Sequence, residues 1–195
     1  MNNKLVEAPN VDTLVHELSQ RIEGNLKYAD MPWDIADQVV SYISDYYDDH
    51  DYDGLVEFLD ELSGLGYSEL KRAWDSLTEK QKKEVVEQLI HNITETGLHE
   101  LFGQIEAESE IEKPLKVKAK IKQAAKDYLD GRISLGDFAA EISYLFWPKD
   151  YEKLDEEERE SLEKFTRSFD DLSRYLDEAE VKELVRHYFI DKLSD

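Results

Sequence analysis

Carboxylates dominate one stretch of this sequence, residues 28–70, which contains twelve Asp and Glu residues and no Lys or Arg. Like charges held this close repel one another, so the stretch disfavours a compact fold. A bound cation, a cationic protein partner or solubility alone would each account for it. The twelve carboxylates are Asp30, Asp34, Asp37, Asp45, Asp48, Asp49, Asp51, Asp53, Glu57, Asp60, Glu61 and Glu69.

Within this stretch, residues 49–60 have the ligand spacing of an EF-hand calcium loop. Such a loop needs oxygen ligands at positions 1, 3 and 5, a glycine for the sharp turn at position 6, and an acid at position 12. The final acid is an Asp, shorter than the usual Glu, and the sequence offers no second loop to pair with this one. The alternative is an acidic helix–turn–helix that holds no metal. If calcium bound here, its ligands would be Asp49, Asp51, Asp53 and Asp60.

Tyrosines interleaved with these acids suggest a second use for the stretch, as a protein-binding surface. Tyrosine combines rigid apolar area with a polar hydroxyl, and carboxylates complement basic residues on a partner. A helix can bury only one of two adjacent tyrosines, such as Tyr46 and Tyr47. The competing interpretation is that the aromatics belong to the core and its rim. The predicted partner-binding residues are Asp45, Tyr47, Asp48, Asp49, Asp51, Tyr52, Asp53, Glu57, Asp60 and Glu61.

The other residue types with catalytic or ligating chemistry do not form a recognisable site. The five histidines fall on separate predicted helices, without the spacing that a metal site on helices requires. No glycine-rich phosphate loop, nucleophile elbow or Walker-type lysine is present in the sequence. The sequence therefore predicts a protein that is not an enzyme and that uses no cofactor, apart from the calcium alternative.

The charge of the whole chain indicates what kind of partner it has. The 195 residues carry a formal net charge of -22, and the sequence pI is near 4.5. Such a surface repels nucleic acid and anionic membranes and attracts basic proteins. We therefore expect a basic protein partner, which itself handles nucleic acid, and no direct contact with nucleic acid or membrane. The lysine-rich run at 113–126 is interpreted as a solvated helix face. The alternatives are pairing with the acidic half, within one molecule or in a homo-oligomer, and a nucleic-acid-binding patch, which the net charge of the whole molecule opposes.

The sequence also lacks the marks of secretion and membrane insertion. It contains no cysteine, which excludes disulfides and thiolate metal sites. Residues 1–10 contain no apolar core of the kind found in signal peptides. No apolar run approaches the roughly 18 residues that a membrane-spanning helix needs. The predicted location is the cytoplasm.

Hydrophobic residues recur at three- and four-residue spacing through most of the chain, and no run alternates as a strand does. Because 41% of the residues are hydrophobic, the chain can bury a core despite its charge. The predicted fold is all-α, with nine or ten helices in two small bundles that pack separately or as one body. Asp30, either Asp51 or Asp53, and Asp177 are predicted to start helices as N-caps. Two further helix starts are predicted from capping pairs, Thr78 with Gln81 and Ser134 with Asp137. The predicted helices cover about 11–28, 32–47, 55–62, 68–77, 79–97, 98–105, 116–129, 135–146, 155–176 and 177–193.

A change in charge marks the predicted boundary between the two bundles. Residues 106–113 contain four glutamates, few apolar residues and a following proline, which predicts a linker. Residues 1–107 hold eight basic and 23 acidic residues, a net charge of -15, whereas 108–195 hold 16 and 23, a net charge of -7. The predicted domains are 1–107, an acidic helical domain, and 108–195, a second helical bundle.

The second bundle resembles a known family through the sequence from Ala125 to Ile142. A helix there ends in a short turn with Ile133 and Ser134, and the next helix opens with an acid followed by Phe138. Aromatics and acids are paired again at 162–175. In these features residues 115–190 resemble bacterial toxin immunity proteins of the colicin D immunity type. The resemblance implies a small acidic helical bundle that plugs the basic, RNA-binding face of a nuclease toxin, and it transfers no individual functional residue.

Charge and resemblance lead to the same functional prediction. The chain is predicted to be an acidic inhibitor or immunity-type protein that blocks a nuclease toxin or a host-defence protein. Its carboxylates would pair with the partner's Arg and Lys side chains in the place of phosphates. Two alternatives stay open: a calcium-binding helical module with a single loop at 49–60, and an acidic structural or adaptor protein.

Overall fold

The computed structural model describes residues 10–29, 32–112, 115–146, 167–169 and 171–192. No strand occurs among these residues, which confirms the predicted all-α fold. None of the helices described combines the length and the apolar character needed to cross a bilayer. The helices are α1 (Val11–Leu26), α2 (Pro32–Asp48), α3 (Tyr52–Ser63), α4 (Tyr67–Asp75), α5 (Glu79–Glu112), α6 (Leu115–Leu129), α7 (Leu135–Phe146) and α8 (Glu178–Arg186), which continues as the π-helical turn His187–Asp191.

The chain divides into two compact units, Met1–Gly97 and Leu98–Asp195, and the division falls inside α5. The predicted helix end at Gly97 is wrong, because this glycine is buried within a continuous helix. An isolated glycine inside a helix costs only about 1 kcal/mol relative to alanine, and packing can offset it. The linker predicted at 106–113 is helical as far as Glu112. The domain boundary after residue 107 stays a prediction.

Two further predictions fall wholly or partly outside the described residues. They are the N-cap at Asp30 and the first part of the helix at 155–176. The end of that helix is described, and there Phe169 and Leu172 are buried as the predicted apolar stripe requires.

The first unit closes around the apolar stripes of α1 and α3. Leu14, Leu18 and Ile22 of α1 and Leu55 and Leu59 of α3 are fully or almost fully buried. Removing one such side chain from water contributes roughly 1.5–3 kcal/mol to folding. The spacing that predicted these helices therefore also identifies their inner faces. Other buried apolar residues of the unit are Val40, Ile43, Leu70, Trp74, Val85 and Leu89.

Side chains of α1 also hold the end of α3. Asn25 Nδ2 donates a hydrogen bond to the carbonyl of Leu62 at 2.7 Å, and Arg21 Nη1 donates to the carbonyl of Ser63 at 3.4 Å. The last carbonyls of a helix have no partner within the helix, so these donors satisfy groups that would otherwise need water. The position of α3 is thereby tied to α1 by polar as well as apolar contacts.

The predicted capping pairs are confirmed. The N–H of Thr78 donates to Gln81 Oε1 at 3.0 Å, and the N–H of Gln81 donates to Thr78 Oγ1 at 3.4 Å. Ser134 and Asp137 exchange the equivalent bonds at 3.2 and 3.1 Å, and the hydrogen bonds from Ser134 lower the pKa of the Asp137 carboxyl. Asp177 caps α8 by accepting two backbone N–H groups at 2.8 and 2.9 Å. Each such cap contributes about 1 kcal/mol.

Aromatic rings fill the interior of the second unit. The Phe102 ring lies 5.3 Å, centroid to centroid, from both Phe169 and Phe189. Phe138 packs edge-on against Phe189 at 5.6 Å and stacks on Tyr128 at 5.4 Å. Pairs in these geometries contribute about 0.5–1.5 kcal/mol beyond the area they bury. The second unit therefore has a core of its own.

Candidate functional site

The turn at residues 49–51 joins α2 and α3 into a helical hairpin. The N–H of Asp51 donates to the carbonyl of Tyr46 at 2.9 Å, and the N–H of His50 donates to that of Tyr47 at 3.1 Å. This pair of bonds is the Schellman arrangement, which needs a left-handed residue at the helix end. His50 fills that position with a φ of 59°. Its ring Nδ1 lies 2.9 Å from the carbonyl of Asp48, so Nδ1 carries the proton that this carbonyl accepts.

Asp51 starts α3 directly after the turn. Its Oδ1 accepts the N–H of Gly54 at 3.0 Å, so Asp51 is the N-cap of α3. Asp51 is one of the two residues predicted for this position. A Cβ on Gly54 would lie 2.5 Å from Asp51 Oδ2 and 2.9 Å from Tyr46 Cε1. Only glycine therefore lets the cap and the tyrosine ring approach the first turn of α3 together.

Two more of the predicted site residues are used within the first unit. Asp53 forms an ion pair with Lys71 of α4, with Oδ1 and Nζ 3.4 Å apart. Asp60 Oδ1 accepts the N–H of Gly66 at 2.6 Å, which fastens the loop between α3 and α4. These two carboxylates connect α3 to its neighbour, one through an ion pair and the other through a hydrogen bond from the backbone.

Residues 49–60 do not have the form of an EF-hand loop. Residues 52–60 are helical, and Gly54 lies inside that helix rather than at a sharp turn. Three of the four carboxylates of the calcium alternative have separate roles: Asp51 caps α3, Asp53 pairs with Lys71, and Asp60 accepts a backbone N–H. The fourth, Asp49, is exposed. Over the part of the chain that is described, no group of three or more His, Asp or Glu is arranged to hold a metal ion. The predicted loop geometry is wrong, because the sequence pattern of a ligand loop is also that of a capped helix. Calcium binding itself stays a prediction.

Tyr47 and Tyr52, the two predicted site tyrosines, belong to an aromatic cluster on the side of α4 and α5. Their ring centroids are 6.0 Å apart, and the Tyr52 ring lies 5.9 Å from the buried Trp74. Tyr52 Oη donates to Glu79 Oε2 at 3.0 Å. Lys82 Nζ lies 4.7 Å from the Tyr52 ring centroid and 2.7 Å from Glu79 Oε1. Both tyrosines are half-buried.

This cluster shifts the ionisation of its own groups. Burial raises the pKa of Tyr52, and the hydrogen bond to Glu79 raises it further. The hydrogen bond from Lys82 lowers the pKa of the Glu79 carboxyl, and the bond from Tyr52 lowers it further. Around neutral pH the tyrosine is therefore a donor, the glutamate an acceptor and the lysine a cation held over the ring.

A row of aromatic side chains crosses the other side of the hairpin. The ring centroids of Tyr42 and Tyr46 lie 5.6 and 5.8 Å from that of Phe58. Tyr42 is 53% exposed, and the other two rings are half-buried. The two adjacent tyrosines, Tyr46 and Tyr47, are thus divided between the two sides of α2, and each packs against a different aromatic partner.

Four carboxylates border this row. Tyr42, Asp45, Tyr46 and Asp49 follow the i, i+3, i+4, i+7 spacing of one helix face, and so do Gly54, Glu57, Phe58 and Glu61 on α3. The two stripes meet where Tyr46 lies against Gly54 and Phe58. We call this surface the hairpin face and define it as Tyr42, Asp45, Tyr46, Asp49, Glu57, Phe58 and Glu61.

The carboxylates of the hairpin face are available to a partner. Asp45, Asp49, Glu57 and Glu61 are all exposed. Within the described parts of the chain, none of the four side chains has a hydrogen-bond or ion-pair partner. They belong to the ten residues predicted from the sequence, whereas the aromatic row does not. The shared spacing of the two stripes is the signal that would have found that row.

The described part of the second unit contains an open cavity. An open cavity of about 420 Å³ is lined by the Tyr128 ring, by apolar side chains and by Glu178 and Lys182 of α8. The two charged side chains form an ion pair 2.5 Å apart, so they largely neutralise each other. Burial raises the pKa of Tyr128, and the neighbouring Glu178 carboxylate raises it further. This cavity therefore lacks the excess charge that distinguishes the hairpin face.

A comparison of the chain with protein-family models, with curated proteins and with solved structures finds no match. An all-α architecture hosts many unrelated activities, so fold class does not determine function. Function is accordingly inferred from the side chains of the hairpin face.

The packing of the hairpin can be tested at Gly54. We expect Gly54→Ala to lower the free energy of unfolding by about 1–2 kcal/mol, because the new methyl group must displace the Asp51 cap or the Tyr46 ring. Chemical denaturation followed by circular dichroism measures the change. The control is Gly24→Ala in α1, where an added Cβ would have no atom within 4 Å. There the substitution is expected to raise stability by about 0.5–1 kcal/mol through helix propensity alone. Equal effects at both positions would contradict the close approach.

The electrostatics of the Tyr52 cluster can be tested by titrating Glu79. We expect Lys82→Met to raise the pKa of the Glu79 carboxyl towards its ordinary value, and Tyr52→Phe to raise it less, because Lys82 provides the larger effect. Carboxyl ¹³C chemical shifts followed against pH measure both. Since the folded pKa is lowered, this carboxylate stabilises the fold above its ordinary pKa and loses that contribution as the pH falls through its folded pKa. Lys83→Met removes an equal charge from a lysine that pairs with Glu87, and should leave Glu79 unchanged.

Proposed function

We propose that this protein is an acidic inhibitor or immunity-type protein that binds a basic, nucleic-acid-handling partner through the hairpin face. The partner's chemical class is that of a nuclease toxin or a host-defence protein. The observation that carries the proposal is the hairpin face itself, on which four exposed carboxylates, without a partner among the described residues, border a partly exposed aromatic row.

The carboxylates suit a surface that normally receives phosphates. Arg and Lys bind carboxylate and phosphate oxygens through the same charge-assisted hydrogen bonds. The face lies in a stretch of the chain without a single basic residue, and among the described residues no lysine or arginine pairs with its four carboxylates. The net charge of -22 adds long-range attraction that accelerates the encounter with a basic protein.

The aromatic row provides binding energy that charge alone does not supply. Exposed ion pairs contribute little affinity, typically below about 1 kcal/mol each. Tyrosines at the centre of an interface supply rigid area whose burial dominates many binding energies. A partner that covers the row would also remove water from the bordering carboxylates and strengthen their hydrogen bonds.

The resemblance of residues 115–190 to immunity proteins of the colicin D immunity type agrees with this proposal. The segment that carries it comprises the end of α6, the turn after Gly131 and the first part of α7. The resemblance provides the expectation of an immunity function, and the hairpin face provides a binding surface in the part of the chain that the resemblance does not cover.

The proposal is tested by neutralising the face without altering the fold. The test variant combines Asp45→Asn, Asp49→Asn, Glu57→Gln and Glu61→Gln. The wild-type protein and the test variant are each immobilised and used to capture partners, at low and at high salt, from a nuclease-treated lysate of the cells that encode this protein. We expect the wild type to retain basic nucleic-acid-binding proteins at low salt, and the test variant to retain about tenfold less of them. Captured proteins should be released by added RNA or DNA, which would compete for the same cationic surface.

A charge-matched variant distinguishes the face from net charge. It combines Asp12→Asn, Glu69→Gln, Glu84→Gln and Glu183→Gln, four exposed acids outside the hairpin face. This variant should capture the same proteins as the wild type. Equal losses in both variants would mean that only overall charge matters, and release that does not respond to nucleic acid would contradict the phosphate-site mechanism.

A further inference from the structure

The protein contains an internal example of how its acid–aromatic surfaces hold a cation. Lys82 Nζ lies 4.7 Å from the Tyr52 ring centroid and, at the same time, 2.7 Å from a carboxylate oxygen of Glu79. The lysine side chain is only 12% exposed there. A cation in this position gains both the attraction of the ring face and a charge-assisted hydrogen bond.

The hairpin face repeats these residue types, and none of the described Lys or Arg side chains lies over its rings. Tyr42 leaves half of its surface open to solvent, and Asp45 lies one helical turn further along the same face of α2. On α3, Glu61 lies one turn beyond Phe58. Residues three or four positions apart are neighbours on a helix surface, so a cation over Tyr42 or Phe58 has Asp45 or Glu61 next to it.

The exposure of these rings to water determines which cation binds them better, an ammonium or a guanidinium group. An ammonium group is compact and strongly hydrated, so it gains little on a ring that water can reach. A guanidinium group is planar and more weakly hydrated, stacks on aromatic rings and presents several N–H donors in its plane to flanking carboxylates. Hydration does not weaken the contact between the Lys82 ammonium group and the Tyr52 ring, because Lys82 is tethered to the protein and largely removed from water.

We infer that the hairpin face is an arginine-recognition surface, which takes an arginine-rich segment of the basic partner in preference to a lysine-rich one. The inference rests on the proposed function and names the chemistry of its partner. Guanidinium groups stack on Tyr42 and Phe58, while Asp45, Glu57 and Glu61 accept their N–H groups. The carboxylates supply attraction to any cation, and the exposed rings supply the discrimination.

Two synthetic peptides test this inference directly. They are identical except that every cationic residue is arginine in one and lysine in the other. We expect the wild-type protein to bind the arginine peptide about three- to tenfold more tightly, as measured by fluorescence anisotropy. Tyr42→Leu should reduce this ratio towards one while leaving the affinity for the lysine peptide nearly unchanged, because it removes the ring and keeps every charge. Tyr67→Leu changes a 40% exposed tyrosine of α4 outside the face, and should leave the ratio as in the wild type.

The neutralised variant at Asp45, Asp49, Glu57 and Glu61 separates failure of this inference from failure of the proposed function. If both peptides bind the wild type equally and both lose affinity in the neutralised variant, the hairpin face is a cation-binding surface without arginine preference, and the inference is overturned alone. If neither peptide binds, or if neutralisation changes nothing, the proposed function fails with it. An arginine preference that survives Tyr42→Leu and the double variant Tyr42→Leu, Phe58→Leu also overturns the inference. Circular dichroism of each variant verifies that the fold is retained.

Discussion

The hairpin of the first unit depends on one close approach, where Gly54 lets α3 begin against the end of α2. The missing side chain leaves room for the Asp51 carboxylate on one side and the Tyr46 ring on the other. The cap fixes where α3 starts, and the ring fixes how α3 lies along α2. Because the start and the direction of α3 are set together, the stripes that form the hairpin face are brought side by side.

The same contacts decide how the acidic stretch is tolerated. A base-free run with twelve carboxylates would be costly if every charge had to be held near the others without compensation. Asp51 lies at the positive end of a helix, Asp53 faces a lysine and Asp60 accepts a backbone N–H. The carboxylates left on the hairpin face are exposed, where water and salt screen their repulsion. The fold therefore gives Asp51, Asp53 and Asp60 a partner each, whereas the four carboxylates of the hairpin face have none among the described residues.

The features of the fold that could be predicted from the sequence are those that depend on residues close together in the chain. Helix faces and the caps at Thr78, Ser134 and Asp177 follow from residues a few positions apart, and they were predicted correctly. The continuation of α5 through Gly97 depends on burial of that glycine, which spacing does not report. The local geometry of the predicted site could not be read from residue spacing, for the same physical reason. A run of Asp and Gly residues is compatible with a ligand loop and with a capped helix, and only the backbone conformation distinguishes them. The predicted site residues include the four carboxylates that the structure leaves exposed on the hairpin face, and their binding of a partner stays a prediction. They also include Tyr47 and Tyr52, which lie on the side of Trp74 and Glu79, because the side of a helix that a tyrosine faces depends on where the next helix packs.

A folded acidic face differs from a disordered acidic tail in what it can recognise. A tail of equal charge would attract a basic protein as strongly at long range, but it would have to be ordered on binding, which reduces the affinity it gains. On the hairpin face the backbone is already fixed by the Schellman turn and the Asp51 cap, and the rings are held by contact with one another. The cations of a basic partner, as proposed above, would therefore meet carboxylates and ring faces at fixed separations. Fixed separations allow a surface to distinguish between cations of equal charge, since a planar guanidinium and a compact ammonium fit the space between a ring and a carboxylate differently. Under the proposed function, net charge would bring a basic partner to this protein, and the geometry of the hairpin would decide which basic segment stays bound.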